Sequence, residues 1–129
     1  MDESTLERLL NAATEAIGRS YAPYSAYSVG AAVLADNGEI YRGANIENSS
    51  YGATMCAERV AVFKAISEGA RKILAIAVRA NDETLPIPCG MCLQVLSEFA
   101  EDIPVIVAGE KEVKCFSLFE LLPYRFGEE

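Results

Sequence analysis

The chain contains no histidine. That absence removes every Ser-His and Cys-His nucleophile pair and every imidazole metal ligand. Any general base must then be Asp, Glu, Lys or Tyr. Basic residues are scarce too. Eleven Lys and Arg stand against 19 Asp and Glu, a formal net charge of −8. Phosphate binding needs clustered Lys and Arg, so neither a DNA duplex nor a tRNA is expected as the main partner. A small neutral substrate remains open, and the charge itself aids solubility. Long apolar runs are also missing. The strongest, Ile73–Val78 and Ile103–Ala108, are strand-sized, far below the ~20 residues that cross a membrane. The start, Met-Asp-Glu-Ser, is acidic and has no basic segment before an apolar stretch. A secretory signal is therefore not expected, and a cytoplasmic location is.

What is present suits one domain, residues 1–129, with no repeat, linker or low-complexity segment. Apolar residues make up 51% of the chain, enough for a core. Four cysteines in a chain without a signal read as metal ligands or catalytic groups rather than a disulfide framework.

Residues Ser4 to about Ser20 show helical spacing, with Leu6, Leu9, Leu10, Ala13 and Ile17 on one side. Ala22-Pro23-Tyr24-Ser25 breaks that helix. Tyr27–Ala35 and Glu39–Asn45 read as two strands joined by the tight turn Asp36-Asn37-Gly38. A second helix is expected over Met55–Glu68, apolar around most of its surface and stopped by Gly69. A buried strand follows at Ile73–Ala80, then a Pro-rich loop to Pro88. A third helix runs from Cys89 to about Ala100, with Cys92, Leu96 and Phe99 on one face. Pro104–Ala108 and Val113–Phe116 are strands, and Ser117 caps a last helical turn to Leu122. Strands alternating with helices after a hairpin imply an α/β fold: a mixed five-stranded sheet between helices, a three-layer α/β/α sandwich. The near-continuous apolar strands at 73–78 and 103–108 imply burial on both faces.

Two short segments carry the chemistry, Thr54-Met-Cys-Ala-Glu-Arg59 and Pro88-Cys-Gly-Met-Cys-Leu-Gln94. Each falls at an expected helix N-terminus, where amides and the helix dipole lower a thiolate pKa. Cys89 and Cys92 lie one turn apart, so both sulfurs can face one point, with Cys56 arriving from the other helix. Three thiolates leave one tetrahedral position open, as in a catalytic zinc site. Glu58 is placed to stand beside a water in that position, whose pKa zinc lowers towards ~7, and to move its proton. A lone C-x-x-C is also found in redox motifs and zinc ribbons. Joined to C-A-E across a predicted strand, it resembles the signature of zinc deaminases, which includes sites with three cysteines.

The remaining motifs point the same way. Ala22-Pro-Tyr-Ser-Ala-Tyr-Ser-Val-Gly-Ala-Ala32, Gly43-Ala-Asn-Ile-Glu-Asn-Ser-Ser-Tyr51 and Leu121-Leu-Pro-Tyr-Arg-Phe126, with the cysteine segments, resemble the homotetrameric cytidine deaminase family over nearly the whole chain. The resemblance implies one Zn²⁺ per subunit on Cys56, Cys89 and Cys92, with Glu58 as proton shuttle. It implies that Asn45 and Glu47 bind the ribose hydroxyls and that Tyr27, where the family usually has Phe, lines the base pocket. The backbone of Ala57 would read the pyrimidine edge, and Phe126 would stack on the base in a neighbouring subunit. On residues alone, Asn45 and Glu47 could merely end a strand, and Phe126 is one aromatic near a terminus.

Around the metal the resemblance places Arg59, Leu93 and Gln94. The family often has a second Arg where Leu93 stands. Two readings of Leu93 follow: a more electron-rich zinc, whose thiolate charge only Arg59 and the helix ends offset, with a less acidic bound water and slower turnover, or a residue packed with Leu96 in a remodelled surround at no net loss. Cys115 is expected to be a small buried residue of a late strand. The implied reaction is hydrolytic deamination of cytidine and deoxycytidine to uridine and deoxyuridine in pyrimidine salvage. The rivals are a deaminase of a modified or blasticidin-type nucleoside and a non-catalytic zinc module using all four cysteines.

Overall fold

The computed structural model describes residues 1–127. Five strands form one sheet in the order β2-β1-β3-β4-β5. They are β1 (Val29–Ala35), β2 (Ile40–Ala44), β3 (Ile73–Ala80), β4 (Pro104–Ala108) and β5 (Val113–Ser117). The pairs β1–β2, β1–β3 and β4–β5 are antiparallel, and β3–β4 is parallel. The sheet is therefore mixed, as the alternation of elements implies. The parallel pair needs a crossover, and α3 (Gly90–Phe99) supplies it.

Each strand presents alternate residues to opposite faces. Ala32, Ala75, Ala77 and Ile106 meet Leu9 and Ala13 of α1 (Glu3–Ala16). Ala31, Val33, Ile76, Val78, Val105 and Val107 lie in one cluster with Ala57, Ala61, Val62 and Ala65 of α2 (Ala57–Ser67) and with Leu93 and Leu96 of α3. Helix, sheet, helices: this is the three-layer arrangement. The central strands are buried on both sides, which explains their near-continuous apolar runs. Each fully buried Ile, Leu or Val there contributes about 1.5–3 kcal/mol of transfer free energy.

The helix caps follow the sequence. Asp2 accepts the Thr5 amide at 2.8 Å and starts α1. Ser117 and Glu120 form a reciprocal capping box on α4 (Leu118–Leu121), at 3.1 and 3.0 Å. α1 stops at Ala16 and tightens into a 3₁₀ turn at Ile17–Arg19. β1 begins only at Val29 because the segment before it is a closed turn. There the Ala26 amide donates to the Ala22 carbonyl at 3.0 Å, and Ala26 sits at φ 59, a left-handed conformation uncommon for a residue with a side chain.

One close approach positions the site. α2 lies directly on β2 at Gly43. A Cβ there would fall 2.4 Å from the Ala61 amide nitrogen and 2.6 Å from the Ala57 carbonyl oxygen. With glycine at 43 the helix that begins beside Cys56 can rest on the sheet backbone.

Cys115 departs from expectation. It lies in the late strand β5, but it is exposed. β5 is an edge strand, and α1 lies across β1, β2 and β3. Cys115 pairs in register with Ile106, on the α1 side of the sheet.

Candidate active site

Cys56 and Cys89 are the N-cap residues of α2 and α3, both with extended backbone. Cys92 lies in the first turn of α3 and is buried. The three Sγ atoms all lie within 4.8 Å of one another, and Cys89 and Cys92 Sγ are 3.6 Å apart. Zinc–sulfur bonds of about 2.3 Å in a tetrahedron require sulfurs about 3.8 Å apart. The donor set therefore fits zinc, with one coordination position left for a non-protein ligand. Among the described residues the group of potential metal ligands comprises these three and not Cys115. The four-cysteine module is not formed.

The thiols influence one another. Cys56 is drawn down to about 5 by the hydrogen bond from Cys92, helped by Arg59. Cys92 is pushed up, first by serving as the donor to Cys56 and then by burial. Three thiols facing one point do not all ionise without a cation, and a dication removes that conflict.

Glu58 is the one buried charged side chain among the described residues, 6% exposed. Burial pushes its carboxyl up to about 7, and the Cys56 thiolate adds to the shift. A carboxyl poised there both gives and takes a proton near neutral pH. The next residue, Arg59, donates from Nη2 to Cys56 Sγ at 3.4 Å and from Nη1 to Met91 Sδ at 2.9 Å. Leu93 is buried in the core cluster that also holds Leu96. It packs in the core, and both readings of its effect on the metal stand. Gln94 does not face the metal cluster. Its amide clasps the backbone of Phe126, donating to the carbonyl and accepting from the amide, both at 3.0 Å.

A cavity of about 370 Å³ opens onto the cysteines. Cys56, Ala57, Glu58 and Cys89 line its metal end, and Asn45 and Glu47 line another part. Tyr27, Val29, Leu85, Pro86 and Ile87 also line it. Glu47 is already oriented by its own chain. Its Oε1 accepts the Tyr24 and Ser25 amides at 2.9 and 3.2 Å, and its Oε2 accepts the Ser25 hydroxyl. These donors, Ser25 foremost, hold the carboxyl below the usual carboxylate range, so it is an ionised acceptor. Asn45 is more heavily used. Its Oδ1 accepts from Ser20 Oγ at 2.6 Å and the Val29 amide at 3.0 Å, and its Nδ2 donates to the Tyr27 carbonyl at 2.7 Å. One Nδ2 proton remains. Phe126 is 88% exposed and does not line this cavity in its own chain.

Sequence reasoning missed the Leu85–Ile87 wall and the role of Ser25. The Pro-rich stretch before Cys89 was the available signal for the wall. Nothing local marked Ser25 as the partner of a carboxylate 22 residues away.

Comparison with known proteins agrees with this geometry. The sequence model of the cytidine and deoxycytidylate deaminase zinc-binding region matches residues 3–110. The chain belongs to this family. Its deaminase relatives include the cytidine deaminase of Sporosarcina psychrophila, 44% identical over 96% of this chain and 93% of that one. The cytidine deaminase of Halalkalibacterium halodurans is also 44% identical, over 95% of each. The crystal structure of cytidine deaminase from Burkholderia pseudomallei superposes with a TM-score of 0.88 at 38% identity, covering 98% of this chain and 100% of that one. The α/β deaminase fold and a zinc-binding cysteine centre are thus shared features of the family and of this chain.

Proposed function

We propose that residues 1–129 form one deaminase domain that hydrolyses cytidine and deoxycytidine to uridine and deoxyuridine, with one zinc on Cys56, Cys89 and Cys92. The observation that carries the proposal is a buried carboxyl, Glu58, raised to about 7 beside three converging thiols at the end of a nucleoside-sized cavity. Zinc, when bound, supplies the positive centre that makes a water acidic near neutral pH. Glu58 takes the proton of the attacking water and delivers it to N3 of the pyrimidine as C4 is attacked. It then carries the proton of the new C4 hydroxyl to the amine, the C4–N bond breaks as the C4 carbonyl forms, and ammonia leaves. Arg59 offsets thiolate charge through Cys56. Glu47 accepts from a ribose hydroxyl, and the remaining Asn45 Nδ2 proton donates to one. Tyr27 and the Leu85–Ile87 wall flank the ring, and the Ala57 backbone reads its polar edge.

Residues Phe126, Tyr124 and Tyr51, all strongly exposed, support a homotetramer in which Phe126 completes a neighbouring site. The net charge of −8 supports a small-molecule substrate rather than a nucleic acid. No helix among the described residues is long and apolar enough to cross a membrane, and we place the enzyme in cytoplasmic pyrimidine salvage. The test is an ultraviolet assay on cytidine. Turnover that a zinc chelator abolishes and added zinc restores is expected. Absence of turnover by zinc-loaded protein overturns the proposal.

A further inference from the structure

The Leu85–Ile87 wall is short and stiff. Pro86 fixes its own φ, and Pro88 restricts Ile87. The Ile87 amide donates to the Leu85 carbonyl at 2.8 Å, closing a three-residue turn. Such a segment moves as a unit, and its two ends set its place. One end is Cys89, in the thiol cluster. The other is Thr84.

Thr84 sits in a directed chain of hydrogen bonds. Its hydroxyl and its amide both donate to Asp82 Oδ1, at 2.6 and 2.9 Å. These bonds hold the Asp82 carboxyl below its ordinary range, so it is an acceptor only. The single Thr84 hydroxyl proton is therefore committed to Asp82. The 2.9 Å contact between Tyr27 and Thr84 Oγ1 must then run from the phenol to Thr84. The one Tyr27 hydroxyl proton points to the loop and is not offered to a ligand.

The base of the loop is seated independently. The Asn81 amide donates to the Ser28 carbonyl at 3.0 Å, and the Glu110 amide donates to the Asp82 carbonyl at 2.8 Å. A Cβ on Gly109 would lie 2.6 Å from the Thr84 carbonyl oxygen and 2.8 Å from that of Glu83. Glycine at 109 is what lets residues 83 and 84 settle against the β4–β5 turn. Tyr27 then fixes the side chain that leads into the wall.

We propose that Tyr27 is a positioning residue as well as a lining one: its hydroxyl, acting through Thr84, sets how closely the Leu85–Ile87 wall approaches the substrate ring. This rests on the cytidine deaminase reading above. Wild type, Tyr27→Phe, Thr84→Val, the double variant and Thr84→Ser are compared on cytidine. Loss of the Tyr27–Thr84 hydrogen bond predicts a KM raised about three- to tenfold in Tyr27→Phe, and at least as much in Thr84→Val, which also loses the hydroxyl bond to Asp82, with kcat within about twofold in both. The double variant is expected to be no worse than the worse single one, because both deletions cut the same link. Thr84→Ser keeps the hydroxyl and keeps the wild-type KM. Hydrogen exchange of the Ile87 amide, without substrate, quickens in Tyr27→Phe and Thr84→Val.

The proposal is overturned if Thr84→Val has wild-type KM while Tyr27→Phe does not, since the phenol then touches substrate directly. Additive effects in the double variant, or unchanged Ile87 exchange, overturn it as well. A wild-type protein inactive on cytidine instead removes the functional reading, and the exchange measurement alone then decides the link.

Discussion

Glu58 shows at the scale of one residue how a site is built against stability. Its carboxyl would have a pKa of 4.5 in the open and is pushed up to about 7 by burial. The folded state therefore prefers the neutral form. The associated stability is complete below about pH 4.5 and is lost as pH rises through about 7, because the folded protein must then bury a charge. Glu58→Gln keeps the shape and never ionises. Zinc-free Glu58→Gln should melt higher than zinc-free wild type at pH 8, with the gain disappearing at pH 4. The same variant should bind zinc and lose roughly 10²–10⁴ in kcat, the usual weight of a positioned proton carrier. Equal melting temperatures at both pH values would show that Glu58 is not held in a charge-excluding place. Arg59 has the opposite task. It is the guanidinium that reaches a thiolate of the cluster, while Leu93, next to Cys92, packs in the core. Arg59→Ala should weaken zinc about 10–100-fold, the usual loss for an outer partner of a metal ligand. Competition with a chromophoric chelator measures it, and wild-type affinity would refute the role.

Among the elements, α2 matters most, because its start fixes Cys56, Ala57 and Glu58 together. Its seat is Gly43, where a methyl group would meet helix backbone at 2.4 Å. Gly43→Ala should therefore move the helix off the sheet. Overpacking of this kind typically costs about 1–3 kcal/mol, so the denaturant midpoint should fall and zinc should leave more readily. An unchanged midpoint would mean that the helix does not rest on β2. Elements of this kind were legible in the sequence because their signals are local. Apolar spacing gave α1, the Asp36–Gly38 turn joined β1 to β2, and the cysteines fell at the two helix starts. Contacts between distant segments left no such mark. The Tyr27–Thr84 bond spans 57 residues, and the close approach at Gly109 depends on where another loop comes to rest. Asn45 was legible as a pocket residue only through the family resemblance, and not as the residue whose amide also binds Ser20, Tyr27 and Val29. Cys115 looked like core because it sits in a late strand. Its exposure follows from that strand being the sheet edge, which only the strand order decides.

For the whole molecule, Phe126 is the residue that bears on assembly. Gln94 fixes its backbone through two hydrogen bonds, yet the residue is 88% exposed. In the proposed tetramer this clasped backbone would present the aromatic ring to a neighbour's cavity. Burying such an aromatic between subunits is favourable and geometrically selective. If so, each site combines Glu58 of one chain with Phe126 of another. Phe126→Ala and Glu58→Gln should then be impaired separately and complement each other when co-expressed. Random mixing in a closed assembly gives about a quarter of sites with both residues intact, so activity should recover to about that fraction of wild type. Gln94→Ala should resemble Phe126→Ala, with a raised KM and zinc retained, because it frees the segment that presents the ring. If the mixed assembly shows no more activity than its separate parents predict, Phe126 works within its own subunit or not at all. A monomer by sedimentation would remove the basis for sharing altogether.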